Sequence, residues 1–327
     1  MHLRGGFGFG QVESDTNVKE NVLGAIGNTP MVRLSRMTKG LQANVYMKLE
    51  FYNPTGSYKD RMALSMIEGA ERRGLLKPGD TVVEYTGGST GSSLALVCAV
   101  KGYKLKIVTS DAFSEEKRNT MKALGADLDV YPSQGGKVTP DLIPRLVEIA
   151  KEMGSRPGMF RTDQFNNEDN LNGYHALGNE ILDALDGRVD AFVAAIGTGG
   201  CSMGVAEVLK ARSRSIGVYL VEPADAPLLS KGVKGTHHIE GIGAGFVPPH
   251  LNRELYDEVL TVSTNDAMDA ARRLAREEGI FAGTSSGANL LAALQVAGRL
   301  GSGRNVVTLA VDTGLKYLST ELYRQPD

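Results

Sequence analysis

Lys59 stands in the run Asn53-Pro54-Thr55-Gly56-Ser57-Tyr58-Lys59-Asp60-Arg61. A lysine held in a tight Asn-Pro/Gly turn, just ahead of a helical stretch, is placed to offer its amine to a ligand instead of to solvent. Such an amine can bind a carbonyl covalently, and when free it can take up a proton as a general base.

Glycine- and hydroxyl-rich loops elsewhere have the composition to hold an anionic ligand beside it. Gly197-Thr198-Gly199-Gly200-Cys201-Ser202 follows a strand pattern ending at Ile196 and opens a helical run through Val205 to Leu209. Glycines let a backbone approach an anion, and the amides and dipole of a helix N-terminus hold a phosphate. No Gly-Lys-Ser/Thr follows, so the loop is not a P-loop, and the dinucleotide fingerprint fits it poorly. A tight structural turn is the other reading. Thr86-Gly87-Gly88-Ser89-Thr90-Gly91 also joins a strand to a helix and offers hydroxyls and amides to an anion such as a carboxylate. Gly283-Thr284-Ser285-Ser286-Gly287 precedes an Ala/Leu-rich helix; its hydroxyls could cap that helix or bond a ligand ring. Gly241-Ile242-Gly243-Ala244-Gly245-Phe246 is followed by Pro248-Pro249 and not by a helix, so it reads as a loop at the wall of a site. Together, the lysine and the loops point to an enzyme that carries pyridoxal 5'-phosphate (PLP) covalently on Lys59.

The elements that would position these loops alternate along the chain. Strands are expected at Asn44 to Leu49, Thr81 to Tyr85, Leu105 to Thr109, Leu128 to Tyr131, Asp190 to Ile196, Ile216 to Val221, Val259 to Val262 and Asn305 to Ala310. Helical patterns lie between them. Ala267, Ala270, Ala271 and Leu274 recur at the spacing of one buried helix face, and Ser114 before Glu115 and Glu116 reads as an N-cap. This alternation predicts parallel sheets covered by helices on both faces, with ligands at strand C-termini.

Composition narrows the class further. The 327 residues suffice for one large or two medium domains, 42% are hydrophobic, and the net charge is -2, so neither nucleic acid nor an anionic membrane is expected as partner. No apolar run approaches the roughly 20 residues that span a bilayer. Cys98 reads as a core residue, and with Cys201 it gives neither a disulfide framework nor metal spacing, which fits a cytoplasmic, reducing compartment. The adjacent His237-His238 reads as a solvent-facing loop, and no metal site is expected. Residues 1–20, with Gly5-Gly6-Phe7-Gly8-Phe9-Gly10, read as a flexible tail.

In this order, the loops resemble the cysteine synthase (O-acetylserine sulfhydrylase) and cystathionine β-synthase group of fold-type II PLP enzymes. The likeness covers nearly the whole chain after about residue 20. It rests also on Ile26 to Leu34, on Lys48-Leu49-Glu50, on His238 to Pro248, and on Asp312-Thr313-Gly314 with Tyr317-Leu318-Ser319-Thr320. The resemblance implies a two-lobed fold, with a larger PLP-binding domain (21–58 and 166–327), a smaller mobile domain (59–165) and the cofactor in the cleft. It implies that Lys59 forms the Schiff base. Gly197, Thr198, Gly199, Gly200 and Cys201 would hold the phosphate, and Ser285 would face the pyridine nitrogen. Thr86, Gly87, Gly88, Ser89 and Thr90 would hold the substrate carboxylate, assisted by Gln164, and Gly241 would line the amino-acid pocket. The implied reaction joins an activated serine, O-acetylserine or similar, to sulfide through an α-aminoacrylate. The lyase direction, cysteine desulfhydrase, and a regulatory homologue of low activity are the alternatives. A homodimer is implied, and serine acetyltransferase is a conceivable partner.

Four positions depart from the group's pattern. Its carboxylate loop reads Thr-Ser-Gly-Asn-Thr-Gly, where this chain has Gly87 and Ser89 in place of the serine and asparagine. Ser89 also replaces the asparagine that meets the ring hydroxyl of PLP. Cys201 stands where threonine is frequent, and Tyr58 stands where a small aliphatic residue is common beside the lysine.

Overall fold

The computed structural model describes residues 18–324 apart from 137, 138 and 140; the Gly-Phe run at 5–10 lies outside them. Its strands are β1 (Met31–Arg33), β2 (Asn44–Leu49), β3 (Thr81–Tyr85), β4 (Lys104–Ser110), β5 (Asp127–Tyr131), β6 (Met159–Arg161), β7 (Ala191–Ala195), β8 (Gly217–Pro223), β9 (Glu258–Val262) and β10 (Asn305–Ala310). They form a six-stranded sheet in the order β1-β2-β10-β7-β8-β9 and a four-stranded sheet in the order β5-β4-β3-β6. Every neighbouring pair runs parallel except β1 with β2.

β7 shows why the chain folds this way. It reads Ala-Phe-Val-Ala-Ala and is buried throughout, as a central strand covered on both faces must be. Phe192 and Ala194 enter a core with Tyr174, Leu177 and Leu209. Ala191, Val193 and Ala195 enter another core with Ala288, Leu290 and Ala292 of the helix Thr284–Leu300. The first core also takes Val82, Leu105 and Ile107 from the smaller sheet and Met62, Met66 and Ile67 from the helix Lys59–Arg72, so the two sheets share it.

The longer strands lie where their apolar runs placed them. β1 and β6 escaped the sequence reading because three residues carry too little alternation to register; β1 is an edge strand, and β6 closes the smaller sheet against β3. Ala267, Ala270, Ala271 and Leu274 are buried, and Ser114 caps the helix Glu115–Ala123 by accepting from Lys117 N–H. Among the described residues, no helix is long and apolar enough to cross a membrane, and no cluster of three or more His, Cys, Asp or Glu is placed to hold a metal.

The segment carrying Lys59 is anchored by buried charge. Arg61 donates from Nε to Glu50 Oε2 at 2.7 Å and from Nη2 to Glu50 Oε1 at 2.9 Å. It also reaches Glu180 Oε1 and Oε2 at 2.7 and 2.8 Å. Lys48 Nζ bonds Glu180 Oε2 at 2.6 Å, and Thr29 Oγ1 bonds Glu50 Oε1 at 2.6 Å. Burial alone would depress Arg61, but the two carboxylates overcome it and hold its pKa above the ordinary value. Burial alone would raise Glu180; Arg61 and Lys48 overcome that and bring it down to about 2. Removing Glu50 by Glu50→Ala leaves the guanidinium half-paired in the interior. The expected cost is about 3–5 kcal/mol, read as a lower midpoint in urea unfolding.

Candidate active site

Lys59 opens the helix Lys59–Arg72 and is 7% exposed, with Nζ 4.9 Å from the centroid of the Tyr58 ring. Its turn is pinned to the end of β10: Tyr58 N–H donates to Val311 O at 3.1 Å, and Thr313 N–H donates to Gly56 O at 2.9 Å. Gly56 has φ 73°, and a β-carbon there would stand 2.7 Å from Thr313 Cγ2, so both conformation and space require glycine. Burial pushes the Lys59 ammonium down to about 8, against the opposing influence of Cys201 and Asp312. At pH 7 about a tenth of this amine is therefore free to attack a carbonyl, far more than for an ordinary lysine.

The Gly197 loop joins β7 to the helix Gly200–Arg212. Gly199, at φ 85°, is the N-cap and supplies no side-chain bond; Thr198 Oγ1 takes the Gly200 amide, so the amides of Cys201 and Ser202 are the first-turn donors left for a ligand. A β-carbon at Gly197 would collide with Gly241 O, and one at Gly200 with Asn170 Oδ1. The Gly197 and Gly241 loops thus meet backbone to backbone. Thr198 Oγ1 accepts from Asn170 Nδ2 at 3.1 Å and from Gly200 N–H at 3.3 Å. Burial pushes the Cys201 thiol well up, which keeps it protonated. Uncapped amides and space that admits only glycine suit a phosphate, and the adjoining amine suits an aldehyde, so the residues fit a phosphorylated aldehyde ring.

Thr86–Thr90 runs from the end of β3 into the first turn of the helix Ser89–Lys101. Thr86 Oγ1 accepts from Gly88 N–H at 3.0 Å. Ser89 Oγ donates to Asp312 Oδ2 at 3.3 Å, and Thr90 Oγ1 donates to Gln164 Oε1 at 2.9 Å. Gln164 Nε2 donates to Tyr85 O at 2.9 Å, and the Gln164 main-chain carbonyl accepts from Asn170 Nδ2 at 2.6 Å. Asn170 therefore links the Gln164 side of the site to the Gly197 loop. Ser285 lies buried in the first turn of the helix Thr284–Leu300, whose N-cap is Gly283 and has no side-chain cap bond. Its neighbour Ser286 accepts from Val311 N–H at 2.9 Å. A β-carbon at Gly283 would lie 2.5 Å from Asp312 Oδ1, which brings the Ser285 turn beside the Lys59 anchor.

Two sequence expectations need comment. Cys98 is buried as expected. His237 is not solvent-facing: its Nε2 lies 3.1 Å from Gly243 O, and Ile239 N–H donates to its Nδ1 at 3.3 Å. The ring folds the pocket loop onto itself while His238 stays exposed; a residue pair alone gave no sign of that nonlocal closure. Asn170, Glu84 and Phe113 were not singled out in the sequence, since only their contacts across the fold distinguish them.

Parallel strand ends, a buried lysine and glycine loops at helix starts define the class as an α/β enzyme for an anionic carbonyl cofactor. A family model for pyridoxal-phosphate dependent enzymes matches residues 22–312. The chain is 45% identical over 310 residues to cysteine synthase of Staphylococcus aureus strain Mu50, covering 94% of this chain and 98% of that protein. It resembles the crystal structure of an O-ureido-L-serine synthase with TM-score 0.87 and 40% identity, over 95% of this chain and 96% of that one. It also resembles that of the cysteine synthase of Entamoeba histolytica with TM-score 0.89 and 37% identity, over 96% and 93%. The chain belongs to the pyridoxal-phosphate dependent enzyme family, with the fold-type II architecture its motifs implied.

Glu84, at the buried end of β3, accepts from Thr162 Oγ1 at 2.6 Å, Gln164 N–H at 3.0 Å and Tyr85 N–H at 2.9 Å. Burial nevertheless outweighs these donors and pushes its carboxyl up to about 7 from 4.5. The folded chain binds this proton more tightly than the unfolded chain. Glu84 therefore favours folding fully below about pH 4.5, and that contribution is lost as pH rises to about 7. The shift corresponds to about 3 kcal/mol. Glu84→Gln should flatten the stability profile across this interval, as measured by urea unfolding at a series of pH values.

Proposed function

We propose that the protein makes cysteine from O-acetyl-L-serine and sulfide, with PLP held on Lys59. The observation that carries this reading is the buried Lys59 amine, brought down to about 8 and influenced by Cys201 and by Asp312, the residue that accepts from Ser89 and abuts Gly283. The cysteine synthases among its relatives support the choice of reaction.

Bound there, the cofactor supplies an electron sink that eases loss of the Cα proton. The Gly197–Cys201 amides and Thr198 would hold its phosphate, and Ser285 would meet its ring nitrogen with a neutral hydroxyl. A hydroxyl, unlike a carboxylate, does not keep that nitrogen protonated, which suits elimination and replacement at Cβ. Thr86 and the first-turn amides of the helix Ser89–Lys101 would bind the substrate carboxylate, and Gln164 would steady them through Thr90. Once released, the Lys59 amine takes the Cα proton. The smaller sheet carries the carboxylate loop and the larger sheet the phosphate loop; in this reading residues 59–165 move as the lobe that closes on substrate. The reading also includes a homodimer in a reducing cytosol, in keeping with two buried free cysteines.

Lys59→Ala should keep its circular dichroism spectrum, retain no cofactor after borohydride reduction and denaturation, and lose about 10²–10⁴-fold in turnover. Full turnover by this variant would overturn the assignment. Only the neutral amine attacks the aldehyde, so PLP uptake by the apo-protein should accelerate as pH rises through about 8 and level off above it, followed by visible absorbance. Product analysis decides the direction. Cysteine formed from O-acetyl-L-serine and sulfide supports the synthase, whereas pyruvate and sulfide released from cysteine at a higher rate would make it a desulfhydrase.

A further inference from the structure

Gly87 is glycine for a reason its backbone does not supply. Its φ lies outside the left-handed region, yet a β-carbon built there would stand 2.8 Å from both Cδ1 and Cε1 of Phe113. The Phe113 ring packs on the cluster of Val83, Tyr85 and Val108, with its centroid 6.5 Å from that of Tyr85. One position on, a β-carbon at Gly88 would collide with the stem of Lys117. Lys117 Nζ then pairs with Glu240 and sits 4.5 Å from the centroid of the Tyr317 ring. Residues 113–117 thus form a roof over the Gly87-Gly88 turn, fastened to the larger sheet's side of the cleft.

This roof limits the donors in the loop. The Ser89 proton is committed to Asp312 and the Thr90 proton to Gln164. Thr86 accepts from Gly88 N–H and keeps its own proton free. An anion at the loop therefore meets one hydroxyl proton and the main-chain amides of the helix start. A serine at 87 would add a donor beside them, but Phe113 fills the space its side chain would need.

We propose that Phe113 is a positioning residue that sets specificity through position 87: it confines the loop to main-chain and Thr86 donors, and so sets how tightly an α-amino acid carboxylate is held. The inference rests on the reading of Thr86–Thr90 as the carboxylate loop.

The test is a double-mutant cycle on the holoenzyme with O-acetyl-L-serine and sulfide, comparing Gly87→Ser, Phe113→Ala and the pair, with a thermal midpoint for each. Phe113→Leu replaces the alanine variant if that one does not fold. In the native background Gly87→Ser should raise KM about tenfold with kcat within about threefold. In the Phe113→Ala background the same change should lower KM about threefold or more relative to Phe113→Ala alone, because the hydroxyl now reaches the carboxylate. Recovery of the thermal midpoint is shared with a purely steric role; the reversed sign in KM is not. An equal effect of Gly87→Ser on KM in both backgrounds overturns the role of Phe113 while leaving the functional reading intact. A native holoenzyme that neither binds nor turns over O-acetyl-L-serine overturns the carboxylate-loop reading, and this inference with it.

Discussion

The site depends on one clamp: the Arg61 guanidinium held between Glu50 and Glu180. Lys59 sits two residues before Arg61, at a helix start whose N-cap, Tyr58, supplies no side-chain bond and where Ser57 Oγ accepts only weakly from Lys59 N–H at 3.3 Å. Left to local forces, such a segment would fray, and a buried ammonium would draw it toward water. Glu50 follows β2, and Glu180 lies on the helix His175–Ala184. The clamp therefore ties the lysine segment to the larger sheet and to a helix of the shared core at once. A buried ion pair of this kind adds little net stability compared with apolar packing, but it tolerates few alternative geometries. For a lysine that must present one atom to a ligand, fixed placement matters more than added stability.

Two carboxylates show how the same chemistry is turned to opposite ends. Glu180 is paired with two cations and falls to about 2, while Glu84 meets neutral donors only and rises to about 7. Lys59 follows Glu84 in kind: burial disfavours its charged form, and no ion pair restores it fully. Ion pairing holds Glu180 ionised in the frame, whereas burial disfavours the charged forms of Glu84 and Lys59. A reactive amine requires that separation, since a full salt bridge at Lys59 would hold its proton and its electron pair together.

Much of this was legible in the chain. Long apolar runs bounded by turn residues gave the strands, because a doubly covered parallel strand leaves an unmixed hydrophobic signature. The glycine loops were legible because glycine and hydroxyl residues at a strand-to-helix junction are local signals. Other features were not local. β1 and β6 are strands only because β2 and β3 lie beside them. Asn170 gains its place from Gln164 and Thr198, far along the chain, and nothing in its neighbours marks it. The inward turn of His237 depends on a carbonyl six residues away in a loop without periodicity. Composition names the loops, but only the fold states which of their groups are already spent.

That distinction bears on how the loops cooperate. Gly197 and Gly241 touch backbone to backbone, so neither loop can shift without the other. Asn170 fastens the Gly197 loop to Gln164, and Gln164 fastens Thr90. A continuous run of hydrogen bonds therefore joins the Gly197 loop to the Thr86–Thr90 loop. Each contact contributes modestly to stability, about 0.5–1.5 kcal/mol apiece. As a chain they tie two loops, carried on different sheets, to a common geometry. In the proposed reading, where these loops would hold phosphate and carboxylate, reaction at one carbon would need this arrangement, because both anions would have to be seated together for the Lys59 amine to reach Cα.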